Sequence, residues 1–337
     1  MQKLPPQIRL LLAALLISLN ACSGPPDCSR EDVYCAALVT DTLGLDDNGA
    51  NQNTWAGLEA SQNSGLIDQL DYIESIDTRD YQKNIAYFAD KGYDLIVTTG
   101  IGLDEETAQA ADLYPDSVFI GIRQADEESR PNLITINFAE DQMGFVAGVL
   151  AARLSKTRIV GAVCESSSLP SMWRYCEGFR AGALYEDENI KVLVAYRDEG
   201  DREFFFVDEK WGYETGHNLV FRGADVLFAV GGLIGQGALR AAAEAGILSI
   251  GTERDQGKVM AESGRGVAAS FLGQTGLEVQ QVIRLLGSEP VSGGRIGQFG
   301  FTSAERYIPE SLESELNDLI FKLWSGEIIT TVSQEKP

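Results

Sequence analysis

CAALVTDTLGLDDNGANQNTWAGL, residues 35–58, decides how the rest of this chain is read. Ala36 to Val39 is an apolar run that ends on a carboxylate, Asp41. A polar turn carrying Gly44, Asp46, Asp47 and Gly49 follows, and Asn51 opens a helical pattern with Trp55 and Leu58. A strand, a loop at its carboxyl end and a helix N-terminus form the unit at which open α/β folds bind small molecules.

Outward from that unit, apolar runs alternate with helical patterns. Strands are expected at 36–39, 72–76, 95–99, 118–122, 133–138, 159–164, 191–196, 226–230, 248–252 and 267–271. Helices are expected at 51–62, 81–91, 105–114, 141–154, 172–185, 235–245 and 275–286. Continuous apolar strands separated by helices of ten to fifteen residues argue for βαβ units and parallel sheets. The strands are too many for one sheet, so two α/β lobes are expected. The halves also echo one another: YDLIVTTGIG followed by FIGIRQ resembles ADVLFAVGGLIG followed by LSIGTERDQ. Each copy has an acidic residue, a buried strand, a glycine turn, a helix and a second strand. Both sets of strand ends are expected to face one cleft.

The N-terminus reads as an address. MQKLPPQIR supplies Lys3 and Arg9, LLLAALLISL is apolar, and LNAC ends on Cys22. A charged start, a short apolar stretch and small residues read as an export signal, too short to span a bilayer. Cysteine after Leu-Asn-Ala resembles a bacterial lipobox, which implies cleavage before Cys22 and lipidation there. An ordinary secretory signal with an incidental cysteine is the alternative. Residues 22–34 then form a lipidated tether. Beyond the signal, no apolar stretch approaches the length of a membrane span.

Composition excludes several functions. The net charge of -23 would be repelled by phosphate backbones, so no nucleic acid is expected as a partner. Export permits disulfides among Cys28, Cys35, Cys164 and Cys176; four cysteines allow three connectivities, and Cys28 with Cys35 and Cys164 with Cys176 are the sequence-local pairing. No CxxC is present, and no metal or cofactor is expected. The one histidine, His217, lies in a polar helical stretch and reads as a surface residue, which leaves no nucleophile–histidine pair for an enzyme. The Asp46–Asp47 pair reads as solvated or helix-capping. Trp173 and Trp211 read as packing residues, and of the aromatic run 204–206 at least one is expected to face a ligand.

At this point the residues match a family. ALVTD-x4-DD-x3-NQ-x2-W-x-GL, then YDLIVTTG, FAEDQMGFVAGVLAARLSKTRIVGAV, EGFRAGA and GADVLFAVGGLIGQGALRAAAEAGILSIGTERDQ, resemble the basic-membrane-protein family of ABC-transporter substrate-binding lipoproteins, whose best understood members bind purine nucleosides. The resemblance covers nearly all of residues 35–330. It implies a type I periplasmic-binding-protein fold: two Rossmann-like lobes joined by three crossovers that close on a ligand. Lobe 1 is expected at 35–138 plus 267–290, and lobe 2 at 139–266 plus 291–332, after a signal peptide at 1–21. The implied partners are a small-molecule ligand, an ABC permease and the membrane through the lipid anchor. The implied place is the extracytoplasmic face of the cell membrane, for a monomer. A sensor of the same fold, or a different and anionic ligand, is the alternative.

Residue by residue, Asp41 and Asn51 stand where the family contacts the base and shapes the pocket loop. Asp46, Asp47, Gln52 and Trp55 also match the signature, Gly231 and Gly232 match the glycine turn of the second lobe, and Phe206 matches its stacking aromatic. Four positions depart: Ala50 replaces a stacking Phe, Arg123 an aspartate, Glu253 the ribose-binding aspartate, and Gly273 a lysine. Loss of one aromatic wall removes roughly 1–3 kcal/mol of stacking. Arg123 replaces an acceptor with five donors. Turned inward, it would pair with Glu253 or bind an anionic group of the ligand.

Overall fold

The structure, a computed structural model, describes residues 27–126, 128–199, 201, 204–260, 266–288 and 291–336. The export signal, Cys22 and the start of the tether lie outside the described residues. In chain order the elements are β1 (Cys35–Val39), α1 (Ala50–Asn63), β2 (Gln69–Ile73), α2 (Tyr81–Ala89), β3 (Leu95–Thr99), α3 (Asp104–Leu113), β4 (Val118–Ile122), β5 (Leu133–Phe138), α4 (Glu140–Leu154), β6 (Ile159–Cys164), α5 (Pro170–Glu186) and β7 (Lys191–Tyr196). They continue with α6 (Glu209–Phe221), β8 (Val226–Ala229), α7 (Leu233–Glu244), β9 (Leu248–Thr252), α8 (Gln256–Val259), β10 (Val267–Gly273), α9 (Thr275–Leu286), β11 (Gly293–Gly297), β12 (Phe299–Ser303) and α10 (Glu310–Trp324). No helix among the described residues is long and apolar enough to cross a membrane.

Among the described residues two six-stranded sheets form, in the orders β11-β5-β4-β3-β1-β2 and β12-β10-β9-β8-β6-β7. The orders superimpose element for element, so the repeat read in the sequence is a repeat of topology. Among the described residues every pairing is parallel except that of β10 with β12. The central strands β1, β3, β6 and β8 are buried throughout or nearly so, because helices cover both faces of each sheet.

Three crossovers join the lobes: β5 into α4, β10 into α9, and β11 into β12. They correct two expected assignments. Residues 267–273, expected in lobe 1, form the fifth strand of the second sheet, and residues 293–297, expected in lobe 2, pair with β5 of the first. Helix α9 packs on α1. The exchange is physical. Val267–Phe271 is apolar enough to bury on both faces against β9, whereas GGRIG suits an edge.

The second strand also lies earlier than expected, at 69–73 instead of 72–76, because its partners along β1 run from Gln69 to Ile73 and Ile76 is 89% exposed. The helices α6, α8 and α10 and the edge strands β11 and β12 are further elements beyond those expected from the sequence.

Disulfides join Cys28 to Cys35 and Cys164 to Cys176. The first ties the tether to β1, and the second ties the end of β6 to α5. His217 sits on α6, partly exposed, edge-on to Tyr213 and 3.7 Å from Glu244.

Candidate interlobe ligand site

The carboxyl ends of both sheets face one another across the cleft, and equivalent strands deliver equivalent residues. β1 ends in Asp41 and β6 in Glu165. The glycine turn after β3 sets Gly100 against Asp41, and the turn after β8 sets Gly231 against Glu165. β4 ends in Arg123 and β9 in Glu253, and both have left-handed backbones, φ 60° and 69°.

In lobe 1, Asn51 organises the loop. Its Nδ2 donates to Asp41 Oδ1 at 2.8 Å and to the Gly44 carbonyl at 2.8 Å, and its Oδ1 accepts from the Thr99 hydroxyl. All its hydrogen-bonding groups are therefore used inside the protein, and it shapes the loop that presents Asp41. Asp47 is buried and accepts from the amides of Gly49, Asn51 and Gln52 at 2.7, 3.2 and 3.1 Å. It caps α1; burial pushes its carboxyl up, and those three amides oppose the shift. Asp46 stays exposed. Trp55 does not join this group. It packs edge-on against Tyr72 of the edge strand, ring centroids 5.0 Å apart.

In lobe 2, Glu165 is fully buried. It accepts from the Ser166 amide at 2.9 Å and the Phe206 amide at 2.6 Å. Arg197, 4% exposed, lies 3.6 Å from the same carboxylate and donates from Nε to Asp208 at 3.3 Å. Phe206 in turn lies against Gly232, where an added Cβ would stand 2.6 Å from the Phe206 carbonyl. Phe206 and Gly232 thus meet at one spot beyond the carboxyl end of β8. Trp173 stacks on Tyr196 at 6.0 Å, and Trp211 packs against the core of lobe 2.

Between the lobes, Arg123 and Glu253 form an ion pair with side-chain exposures of 27% and 17%. Burial works against the Arg123 charge, but Glu253 beside it wins and raises its pKa. A second link runs from the Asp255 amide to the Asn48 carbonyl at 2.8 Å. Gly49 permits that approach: a Cβ there would lie 2.6 Å from Arg254 Cγ and 3.0 Å from the Glu253 carbonyl. Beside the ion pair is a cavity of about 20 Å³, bounded by Ala50, Arg123, Phe138, Tyr175, Glu253 and Gly273 among others. All four departures from the family pattern, Ala50, Arg123, Glu253 and Gly273, therefore meet at one place. Gly273 is the complement of Phe138, because a Cβ at 273 would fall 2.5 Å from that ring. The Tyr175 hydroxyl is pushed well up by burial, then by Glu253.

Glu165, Arg197, Tyr175 and Phe138 were not singled out in the sequence. The signal for Glu165 was available, since it occupies in the second repeat the place of Asp41 in the first. Among the described residues no group of three potential metal ligands comes together.

A family model described as Bmp, ABC transporter substrate-binding protein PnrA-like, matches residues 35–303. The chain is 25% identical over 305 residues to the ABC transporter nucleoside-binding protein BmpA of Lactococcus lactis subsp. cremoris, covering 85% of each chain. It is 24% identical over 341 residues to basic membrane protein A1 of Borrelia garinii subsp. bavariensis, covering 98% of this chain and 97% of that one. Among solved structures, an ABC transporter solute-binding protein from Conexibacter woesei superimposes with a TM-score of 0.70 at 20% identity, over 88% of this chain and 98% of that chain.

Proposed function

The chain belongs to the Bmp family of ABC transporter substrate-binding proteins, and on that premise we propose that it grips a small polar solute between its lobes and hands it to an ABC permease. The observation that carries this reading is the Arg123–Glu253 contact, in which each lobe supplies one charge to the cleft. The cavity beside it, about 20 Å³, is about the size of one water, far below the roughly 300 Å³ at which ligand pockets begin. A solute therefore enters by parting the lobes, and closure about the three crossovers is the recognition step.

The finer reading is a monomeric lipoprotein held at the extracytoplasmic face of the cell membrane through Cys22. It binds and releases its solute without chemistry. Asp41, Phe206, Gly232, Arg123 and Glu253 form the walls that touch the solute, while Asn51 positions Asp41. A nucleoside is the first solute to test, on the strength of the Lactococcus relative.

Mass spectrometry of solute released from purified, denatured protein, followed by calorimetry with adenosine, guanosine and inosine, tests both levels. Release of a stoichiometric small molecule is expected. Failure of all three nucleosides to bind at millimolar concentration removes the nucleoside, and failure to release or bind any solute removes the proposal. Palmitate labelling of intact cells, lost in Cys22→Ala, is expected for the anchor; an unlabelled wild type rules it out.

A further inference from the structure

We infer that the solute is a compact zwitterion, carrying a carboxylate and an ammonium a few bonds apart, and that it replaces Arg123 and Glu253 as each other's partner. The inference rests on the solute-binding reading above and goes further in naming the chemical class.

Arg123 comes from lobe 1 and Glu253 from lobe 2, 130 residues apart in sequence, and their charged ends touch. Most of each side chain is withdrawn from water. The surroundings offer little alternative pairing. Ala50, Phe138, Met143 and Gly273 are apolar or small. Glu140 is engaged by Arg174 Nε at 2.9 Å. The Tyr175 hydroxyl is buried and lies 3.8 Å from Met143 Sδ. The pair is thus the main source of compensation for both of its members.

Parting the lobes returns both charges to water. Closing them on a solute that sits between the two side chains brings both charges back into a poorly solvated site without each other. A charge buried without a partner is costly, so a solute that permits closure supplies an acceptor to the Arg123 fork and a donor to Glu253. An uncharged solute leaves both ions poorly compensated. An anion alone satisfies Arg123 and sets like charge against Glu253; a cation alone does the reverse. Because the two side chains touch with the lobes closed, a solute whose two charges lie close together requires the least reopening of the lobes. A free α-amino acid has this form.

The test uses the mature protein, freed of bound solute by unfolding and refolding with its disulfides intact. It is titrated calorimetrically with the free α-amino acids and with adenosine, guanosine and inosine. At least one amino acid is expected to bind, and its N-acetyl and carboxamide derivatives, each lacking one charge, are expected to bind at least tenfold more weakly. Arg123→Gln and Glu253→Gln are each expected to lower the affinity at least tenfold, and Arg123→Lys to recover part of the loss. Binding of no amino acid at millimolar concentration overturns the inference, as does equal affinity for the singly charged derivatives or unchanged affinity in both variants. A protein that binds a nucleoside but no zwitterion overturns this inference and leaves the solute-binding reading standing. One that binds neither and releases no solute overturns both.

Discussion

Arg123 and Glu253 occupy the same position in two copies of one structural repeat, at the ends of the fourth strand of each lobe. Each stands two residues after a strand glycine, Gly121 or Gly251, each has a left-handed backbone, and their side chains meet. Each of those glycines is covered by a glutamine from the following turn, Gly121 by Gln124 and Gly251 by Gln256. The pseudo-twofold relation between the lobes makes this contact possible, because equivalent points nearest the axis are nearest each other.

Breaking that contact should loosen the closed form. Arg123→Gln alone, or Glu253→Gln alone, strands a partly buried charge and is expected to cost about 1–3 kcal/mol, between the values for exposed and buried pairs. The double variant should recover part of that loss. Urea denaturation of all four proteins gives the coupling energy, and small-angle scattering of the solute-free proteins should show a larger radius of gyration for the single variants. Additive losses and unchanged scattering would mean that the pair does not hold the lobes together.

Gly273 and Phe138 should behave as a complementary pair. A Cβ at 273 meets the Phe138 ring at 2.5 Å, so Gly273→Ala is expected to destabilise by about 1–3 kcal/mol through overpacking. In a Phe138→Leu background the added methyl gains room and its cost should fall. Thermal unfolding of the four combinations measures this, and an equal cost in both backgrounds would count against the complementarity.

The Cys164–Cys176 bridge closes a loop with a sequence separation of 12. Replacing both residues with serine is expected to lower stability by about 3 kcal/mol, chiefly by releasing the unfolded chain. Glu165 and Ser166 follow Cys164 directly, so solute affinity should fall in the same variant even well below its melting temperature. Calorimetry at low temperature separates the two effects, and full affinity in the serine variant would confine the bridge to a stability role.

Asp94 and Asp225 open equivalent strands but should titrate in opposite directions. Asp94 accepts from the Cys35 amide at 2.7 Å, and burial, the larger influence, raises its pKa above the ordinary 3.8. Burial also pushes Asp225 up, but the Ser155 hydroxyl at 2.5 Å and the Lys156 and Thr157 amides at 2.6 and 2.9 Å together bring its pKa below 3.8. A carboxyl whose folded pKa is lowered stabilises fully above its unfolded pKa, and that stabilisation is lost as pH falls through the folded value. Asp225→Asn should therefore cost about 1–2 kcal/mol at pH 7, and the gap to wild type should close as pH is taken below 3.8. Carboxyl-resolved NMR titration should place the Asp94 midpoint above that of Asp225; the reverse order would refute this account.

The sequence by itself determined the α/β class, the two-lobe repeat, most of the central strands and the loop that carries Asp41 and Asn51. These features are local. A doubly covered strand has to be continuously apolar, and a helix start needs its capping residues within a few positions, so the pattern is written where the element forms. Strand exchange between the lobes was decided only in the tertiary structure: 267–273 enters the second sheet between β9 and β12, and 293–297 takes the edge of the first sheet beside β5, far back along the chain. The same holds for the site. The departures at Ala50, Arg123, Glu253 and Gly273 were each visible alone, but nothing local says that they converge, that Phe138 fills the space above Gly273, or that Trp55 turns to Tyr72. Pairing of Arg123 with Glu253 was one of two readings open to an inward Arg123, and folding decided it: two copies of one βαβ unit set their strand ends face to face and bring together residues 130 apart.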